Sequence, residues 1–282
     1  MIYTLKNNEI TVAIRSLAAE IVSVLKDGKE RVWQNETGEW AGHGPMLFPV
    51  CGHCGVTVNG VSYPISAHGF SRKIDFTLEN SGTDFVTFTL KANEETKKQY
   101  PFDFVFRVTY ALKENTLSVI YDVENPASTP LYFACGGHES YALDYDLDAY
   151  ELVFEKEEKL VHCEHNEAGY LIDEYCDFGT HTVYPLPLER LTKSATVIFK
   201  NVASRKVRLQ EKNGKPLCEL TFEGFENLLL WRAMRAKYIC IEPWTNLPDI
   251  ADKPDVEFSQ KACVIKVEPK DTKKLVRTIT YL

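Results

Sequence analysis

Hydrophobic and polar positions alternate along most of this chain. Ile10-Thr11-Val12-Ala13-Ile14, Phe85-Val86-Thr87-Phe88-Thr89-Leu90 and Phe106-Arg107-Val108-Thr109-Tyr110-Ala111-Leu112 each place an apolar side chain at every second position. Thr116-Leu117-Ser118-Val119 and Val264-Ile265-Lys266-Val267 do the same. Successive side chains of a strand point to opposite faces, so this period predicts strands with one buried face. Turn residues separate the strands. Asn59-Gly60 divides Val56-Thr57-Val58 from Val61-Ser62-Tyr63, and Asn213-Gly214 divides Val207–Gln210 from Leu217–Leu220. Ser81-Gly82 lies between Phe76-Thr77-Leu78 and Phe85-Val86-Thr87. These dipeptides favour tight hairpins. One short helix is predicted over Glu94–Gln99, ahead of Pro101, and residues 14–26 have mixed periodicity. With no repeat, linker or low-complexity tract, the pattern predicts one all-β domain over residues 1–282, antiparallel, closed as a sandwich or barrel.

Composition narrows the function classes. A net charge of −8 with interspersed signs lacks the basic stripe of a nucleic-acid surface. The run Glu155-Lys156-Glu157-Glu158-Lys159 reads as a solvated strand end or loop. Residues 1–8 lack the apolar core of a signal peptide, and no stretch approaches the ~20 apolar residues of a membrane span. The expectation is therefore a cytoplasmic protein without a membrane partner, its eight cysteines reduced. Cys218, Cys240 and Cys263 lie in strand-like runs, where cysteine behaves as a small buried hydrophobe.

Two segments carry candidate chemistry. Gly136-Gly137-His138-Glu139-Ser140-Tyr141 and Ile239-Cys240-Ile241-Glu242-Pro243-Trp244 each hold one proton-transfer group after an apolar run. A histidine and a carboxylate suit general acid–base work near neutral pH. The bland readings are a core histidine and a strand-end salt bridge. Two glycines before His138 suggest close approach by a ligand or another backbone. Glu139 is expected on the face opposite His138. A carboxylate behind Tyr238-Ile239-Cys240-Ile241 has to be paired or functional, because burying it alone is costly. Pro243 is expected to end strand pairing. His68 and Arg72, four residues apart, would share a face on a strand. Cys51-Gly52-His53-Cys54 matches a thiol–disulfide exchange sequence. That chemistry wants a helix after the first cysteine, whereas Gly55–Gly60 reads as strand and turn. Zinc would need two more ligands, for which His162-Cys163-Glu164-His165 is the candidate source; no metal and no redox role are expected for Cys51 and Cys54.

Taken together, these segments resemble the aldose 1-epimerase, or galactose-mutarotase-like, family. Trp33-Gln34 with Trp40, Gly44-Pro45-Met46-Leu47-Phe48-Pro49 and His68-Gly69-Phe70-Ser71-Arg72 complete the pattern in the family's order, from about residue 10 onward. The closest branch is a bacterial one near the hexose-6-phosphate 1-epimerases. The resemblance implies a large two-sheet β-sandwich, a sugar substrate, a monomer or homodimer, and no metal or nucleotide cofactor. It implies His138 as the acid that protonates the ring oxygen and Glu242 as the base. It also implies His68 on sugar hydroxyls, Arg72 on hydroxyls or an anionic group, and one of Trp33, Trp40, Phe70 and Trp244 as a platform for the sugar face. Two positions depart from the branch: His53 stands where an arginine is usual, and Ser194 where an aspartate binds a sugar hydroxyl. Both put a phosphosugar in doubt and predict weak binding with broad tolerance among neutral hexoses. Alternatives in keeping with the residues are a non-catalytic carbohydrate-binding protein of the same fold and a hexose-6-phosphate 1-epimerase.

Overall fold

The computed structural model describes residues 1–233, 236–253 and 255–282. Its alternating segments pair as their pattern requires. Val105–Lys113 and Thr116–Glu124 run antiparallel, with Leu112 opposite Leu117, Tyr110 opposite Val119, Val108 opposite Tyr121 and Phe106 opposite Val123. These eight side chains share one face and are buried, each worth roughly 1.5–3 kcal/mol of apolar transfer. Thr272–Tyr281 then pairs with Thr116–Glu124 on the other side.

Extending this pairing yields one thirteen-stranded antiparallel sheet. Its path starts at Ser140–Ala142 and passes through Tyr238–Trp244, Asn227–Trp231, Thr196–Phe199 and Tyr150–His165. It continues through Lys206–Glu211, Pro216–Thr221, Thr272–Tyr281, Thr116–Glu124, Val105–Lys113 and Phe85–Lys91 to Thr77–Ser81. Leu171–Pro185 pairs with Tyr150–His165 off this path. An N-terminal sheet of Ile2–Lys6, Ile10–Arg15, Glu20–Lys26 and Lys29–Glu30 packs onto the far half. Leu5, Val12, Ile14 and Val24 enter the same core as Val86, Phe88, Val108 and Tyr110. Tyr3 meets Phe88 edge-on at 5.2 Å, and the Tyr110 hydroxyl donates to the Ala19 carbonyl. The protein is an all-β, antiparallel two-sheet sandwich.

Three local expectations fail, and one helix forms without a signal. Cys263, expected as a buried strand residue, is exposed in a turn. The charged run Glu155–Lys159 is solvated at Glu155, Lys156, Glu157 and Lys159 but lies in the middle of the sixteen-residue strand Tyr150–His165, not at its end. Glu158 is buried there because its carboxylate accepts the Ala203 and Ser204 N–H groups at 2.8 and 2.7 Å. Pro243 does not end pairing: it sits opposite Leu228, and its carbonyl accepts the Gly137 N–H at 3.2 Å. A helix at Leu188–Ser194 carried no recognised signal; it closes on Ala195 in the left-handed region at φ +58°. The helix before Pro101 forms over Glu94–Lys97, held by a capping box between Asn93 and Thr96.

Candidate active site

The segment Cys135–Ser140 is clamped from two sides. Gly136 exchanges both backbone hydrogen bonds with Leu47 at 3.2 Å, Ser140 N–H donates to the His43 carbonyl at 2.8 Å, and Cys135 N–H donates to Thr245 Oγ1 at 3.0 Å. The glycines allow close approach, but of side chains. A Cβ on Gly136 would lie 2.6 Å from Trp244 Cδ1, and one on Gly137 would lie 2.5 Å from Arg277 Cζ. The pair therefore lets Trp244 and Arg277 pack directly against the backbone that carries His138.

Alternation then separates the next two side chains. Glu139 turns to the core, where both its oxygens take the guanidinium of Arg277, one at 2.6 Å; Arg277 Nε also donates to the Tyr121 hydroxyl at 2.5 Å. His138 turns the other way, toward a cavity of about 400 Å³ lined on its inner side by Trp40, His68, Trp231, Glu242 and Trp244. That volume falls within the range of small-ligand pockets.

Glu242 reaches the same cavity from Tyr238–Trp244. Its Oε1 lies 3.5 Å from His138 Nδ1, and its Oε2 accepts the Trp244 indole N–H at 3.1 Å. Both groups are at least nine-tenths buried. Burial favours the neutral form of each. It holds Glu242 well above the usual carboxylate range, against the lowering effect of the Trp244 hydrogen bond and with some help from Glu139. It brings His138 down to about 4, with Arg72 adding to the fall. Both shifts therefore favour the uncharged form, a protonated Glu242 beside a neutral His138. Trp40 lies over the His138 ring at 5.1 Å and Trp231 meets it edge-on at 5.4 Å.

His68 and Arg72 both line the cavity, but not as neighbours on one strand. His68 is in a turn at φ +65°, and Arg72 is in the 3-10 turn Ser71–Lys73. The turn is stabilised by His68 N–H donating to the Gly52 carbonyl at 2.9 Å, while Gly52 N–H donates back to His68 Nδ1 at 3.1 Å. An accepting Nδ1 leaves the ring proton on Nε2. Burial, then His138 and Arg72, hold this imidazole well below its ordinary value, so it is neutral. Arg72 is half-buried, and its Nε meets no acceptor among the described residues. His53 lines the rim, stacked on Tyr170 at 4.6 Å; partial burial and then Arg72 lower its pKa. Ser194 also lines the cavity. Trp33 does not: it packs on Tyr238 at 4.9 Å and donates its indole N–H to the Trp40 carbonyl.

Reading the sequence missed Trp231, Leu229, Thr196 and the loop Asn166–Gly169, all of which line the cavity. Asn227–Trp231 reads as an ordinary buried strand, and nothing in it marks a site. The Cys51–Cys54 segment has free buried thiols and leads into the hairpin Val56–Val58 and Val61–Tyr63. Burial raises the Cys51 thiol well above its ordinary value and Cys54 to about 12, the reverse of what an exchange thiol needs. His162 is engaged elsewhere, between Ile198 N–H at 3.0 Å and Arg190 at 2.7 Å.

The fold and site define a β-sandwich protein with a buried histidine–carboxylate pair at the base of an indole-walled cavity. The chain belongs to the aldose 1-epimerase family, whose sequence model matches residues 1–262. It is 31% identical to protein LacX of Lactococcus lactis subsp. lactis, in the plasmid and the chromosomal form alike, with 100% of both chains covered. A galactose mutarotase-like protein from Lactobacillus casei has the same architecture at a TM-score of 0.92, with 27% identity and 100% of each chain covered. A galactose mutarotase related enzyme from Lactobacillus acidophilus superposes at 0.89, with 29% identity, covering 100% of this chain and 97% of that one.

Proposed function

We propose that this protein is an isomerase that interconverts the α and β anomers of a hexose by opening and reclosing the ring. The observation that carries this reading is the contact between His138 Nδ1 and Glu242 Oε1, 3.5 Å apart and buried at the cavity floor. Ring opening needs a base at the C1 hydroxyl and an acid at the ring oxygen, one proton in all, which a protonated Glu242 beside a neutral His138 would supply. In the ion-pair form, Glu242 takes the C1 hydroxyl proton and the His138 imidazolium gives its proton to the ring oxygen. The C1–O5 bond breaks to the open aldehyde, C1–C2 rotates, and the same two groups reverse roles on closure. The bound sugar's hydroxyls replace the solvation that burial removed from the ion pair. Neither metal nor nucleotide takes part in these steps.

The neighbours suit that chemistry. Trp244 N–H holds the carboxylate orientation, Trp40 and Trp231 give apolar faces for sugar C–H groups, and neutral His68 offers a hydrogen bond from Nε2. Arg72 supplies donors to hydroxyls, while His53 and Ser194 give the rim weaker donors and acceptors than an arginine and an aspartate would.

Polarimetry over a panel of free and phosphorylated hexoses tests the reading. Wild type is expected to accelerate anomer exchange. Glu242→Gln is expected to lose about 10²–10⁴-fold of the catalysed rate while keeping sugar binding, since Gln still accepts from Trp244 but cannot take the proton. Wild-type exchange no faster than buffer on every sugar would replace the reading with a carbohydrate-binding one.

A further inference from the structure

Cys240 has no part in the reaction proposed above, yet it lies beside both groups that do. Tyr238–Trp244 places Cys240 and Glu242 two residues apart on one face. The register sets Trp231 opposite Cys240 and Leu229 opposite Glu242. Both of those partners line the cavity, so the thiol is directed to the layer beneath Trp231. A ring nitrogen of His138, the Cys240 thiol and a Glu242 oxygen all lie within 4.8 Å of one another. His138 Nδ1 is buried and makes no hydrogen bond among the described residues. An imidazole, a thiol and a carboxylate form a donor set for a borderline-soft divalent cation. Tetrahedral zinc, with bonds of about 2.0–2.3 Å, keeps its ligand atoms roughly 3.3–3.8 Å apart. His138 and Glu242 already stand at 3.5 Å, and the Cys240 thiol lies within 4.8 Å of a ligand atom of each.

We propose that His138, Cys240 and Glu242 form an inhibitory zinc site. The cation enters through the sugar cavity, takes these three ligands and leaves its fourth position to a water on the cavity side. The thiol proton and the Glu242 proton pass to solvent. The inhibitory effect rests on the reading of His138 and Glu242 as the acid–base pair; the coordination does not. With both groups held by metal, ring opening stops, and sugar and zinc compete for one space.

The test uses full-length protein stripped with a chelator and then titrated with zinc or cobalt(II). Wild type should bind one zinc per chain, and the cobalt form should show a near-ultraviolet thiolate-to-cobalt band. Cys240→Ser should lose the band, keep its metal-free exchange rate, and need at least roughly tenfold more zinc for inhibition. Cys51→Ser, which removes the other buried thiol beside Trp244, should behave as wild type. A wild type that binds no zinc at micromolar concentration overturns the proposal. So does a band that survives Cys240→Ser or disappears in Cys51→Ser. A metal-free protein inactive on every sugar, with the zinc stoichiometry and the Cys240-dependent band intact, sinks the mutarotase reading and leaves the site standing.

Discussion

Two carboxylates, Glu139 and Glu242, are both 1% exposed, and their surroundings differ completely. Glu139 is matched oxygen for oxygen by Arg277, itself steadied by Tyr121. Glu242 has one indole N–H and a histidine that is neutral at ordinary pH. A buried charge with a complete partner is part of the framework, and removing the partner is the damaging act. A buried carboxyl with an incomplete one keeps its proton until a ligand supplies the rest. Glu139 and Arg277 lie directly behind Gly137, so the framework pair backs the segment that aims His138 at Glu242.

The comparison breaks most visibly at Arg277. Arg277→Ala strands the Glu139 charge in the core and should cost about 3–5 kcal/mol in urea denaturation. Replacing both partners, Glu139→Leu with Arg277→Met, should recover most of that loss, because the uncompensated charge is gone. A single-variant cost below about 1 kcal/mol would show that Glu139 finds another partner and that its burial is not framework.

Acidification gives the next effect. His138 has a folded value of about 4 against an ordinary 6.5. A depressed folded value means its contribution to stability is fully present above pH 6.5 and is lost as pH falls toward 4. By linkage, this amounts to as much as about 3 kcal/mol. Denaturation between pH 7 and 4 should therefore show a steeper loss for wild type than for His138→Asn. Parallel profiles would mean that the imidazole titrates normally in the fold.

The smallest and sharpest difference is between two identical substitutions. Glu139→Gln should destabilise at pH 8, since Arg277 then lacks its counter-charge. Glu242→Gln should be near neutral at pH 4. The folded value of Glu242 lies well above 4.5, so the stability its protonated form contributes is complete below 4.5 and declines as pH rises through the folded value. Glu242→Gln should accordingly gain on wild type between pH 4 and pH 8. Equal losses for the two variants at pH 8 would erase the distinction between a fully paired and an incompletely paired carboxylate.

Period-two alternation, with Asn-Gly and Ser-Gly turns, was enough to determine an all-β chain and most strand positions, because side-chain alternation is a property of neighbouring residues. The same alternation put His138 and Glu139 on opposite faces. The two segments that meet at the site were legible because each joins a proton-transfer group to an apolar run and to aromatic or glycine neighbours. Only the tertiary structure decided what those groups meet. Glu139 finds Arg277 across 138 positions, Glu158 is buried because two distant N–H groups wait for it, and His68 and Arg72 converge through a turn rather than along a strand. Trp231 becomes a cavity wall only when its strand pairs with the one that carries Glu242. Charge state followed the same division: the residue types come with the chain, but burial and the partners supplied by remote segments set their protonation.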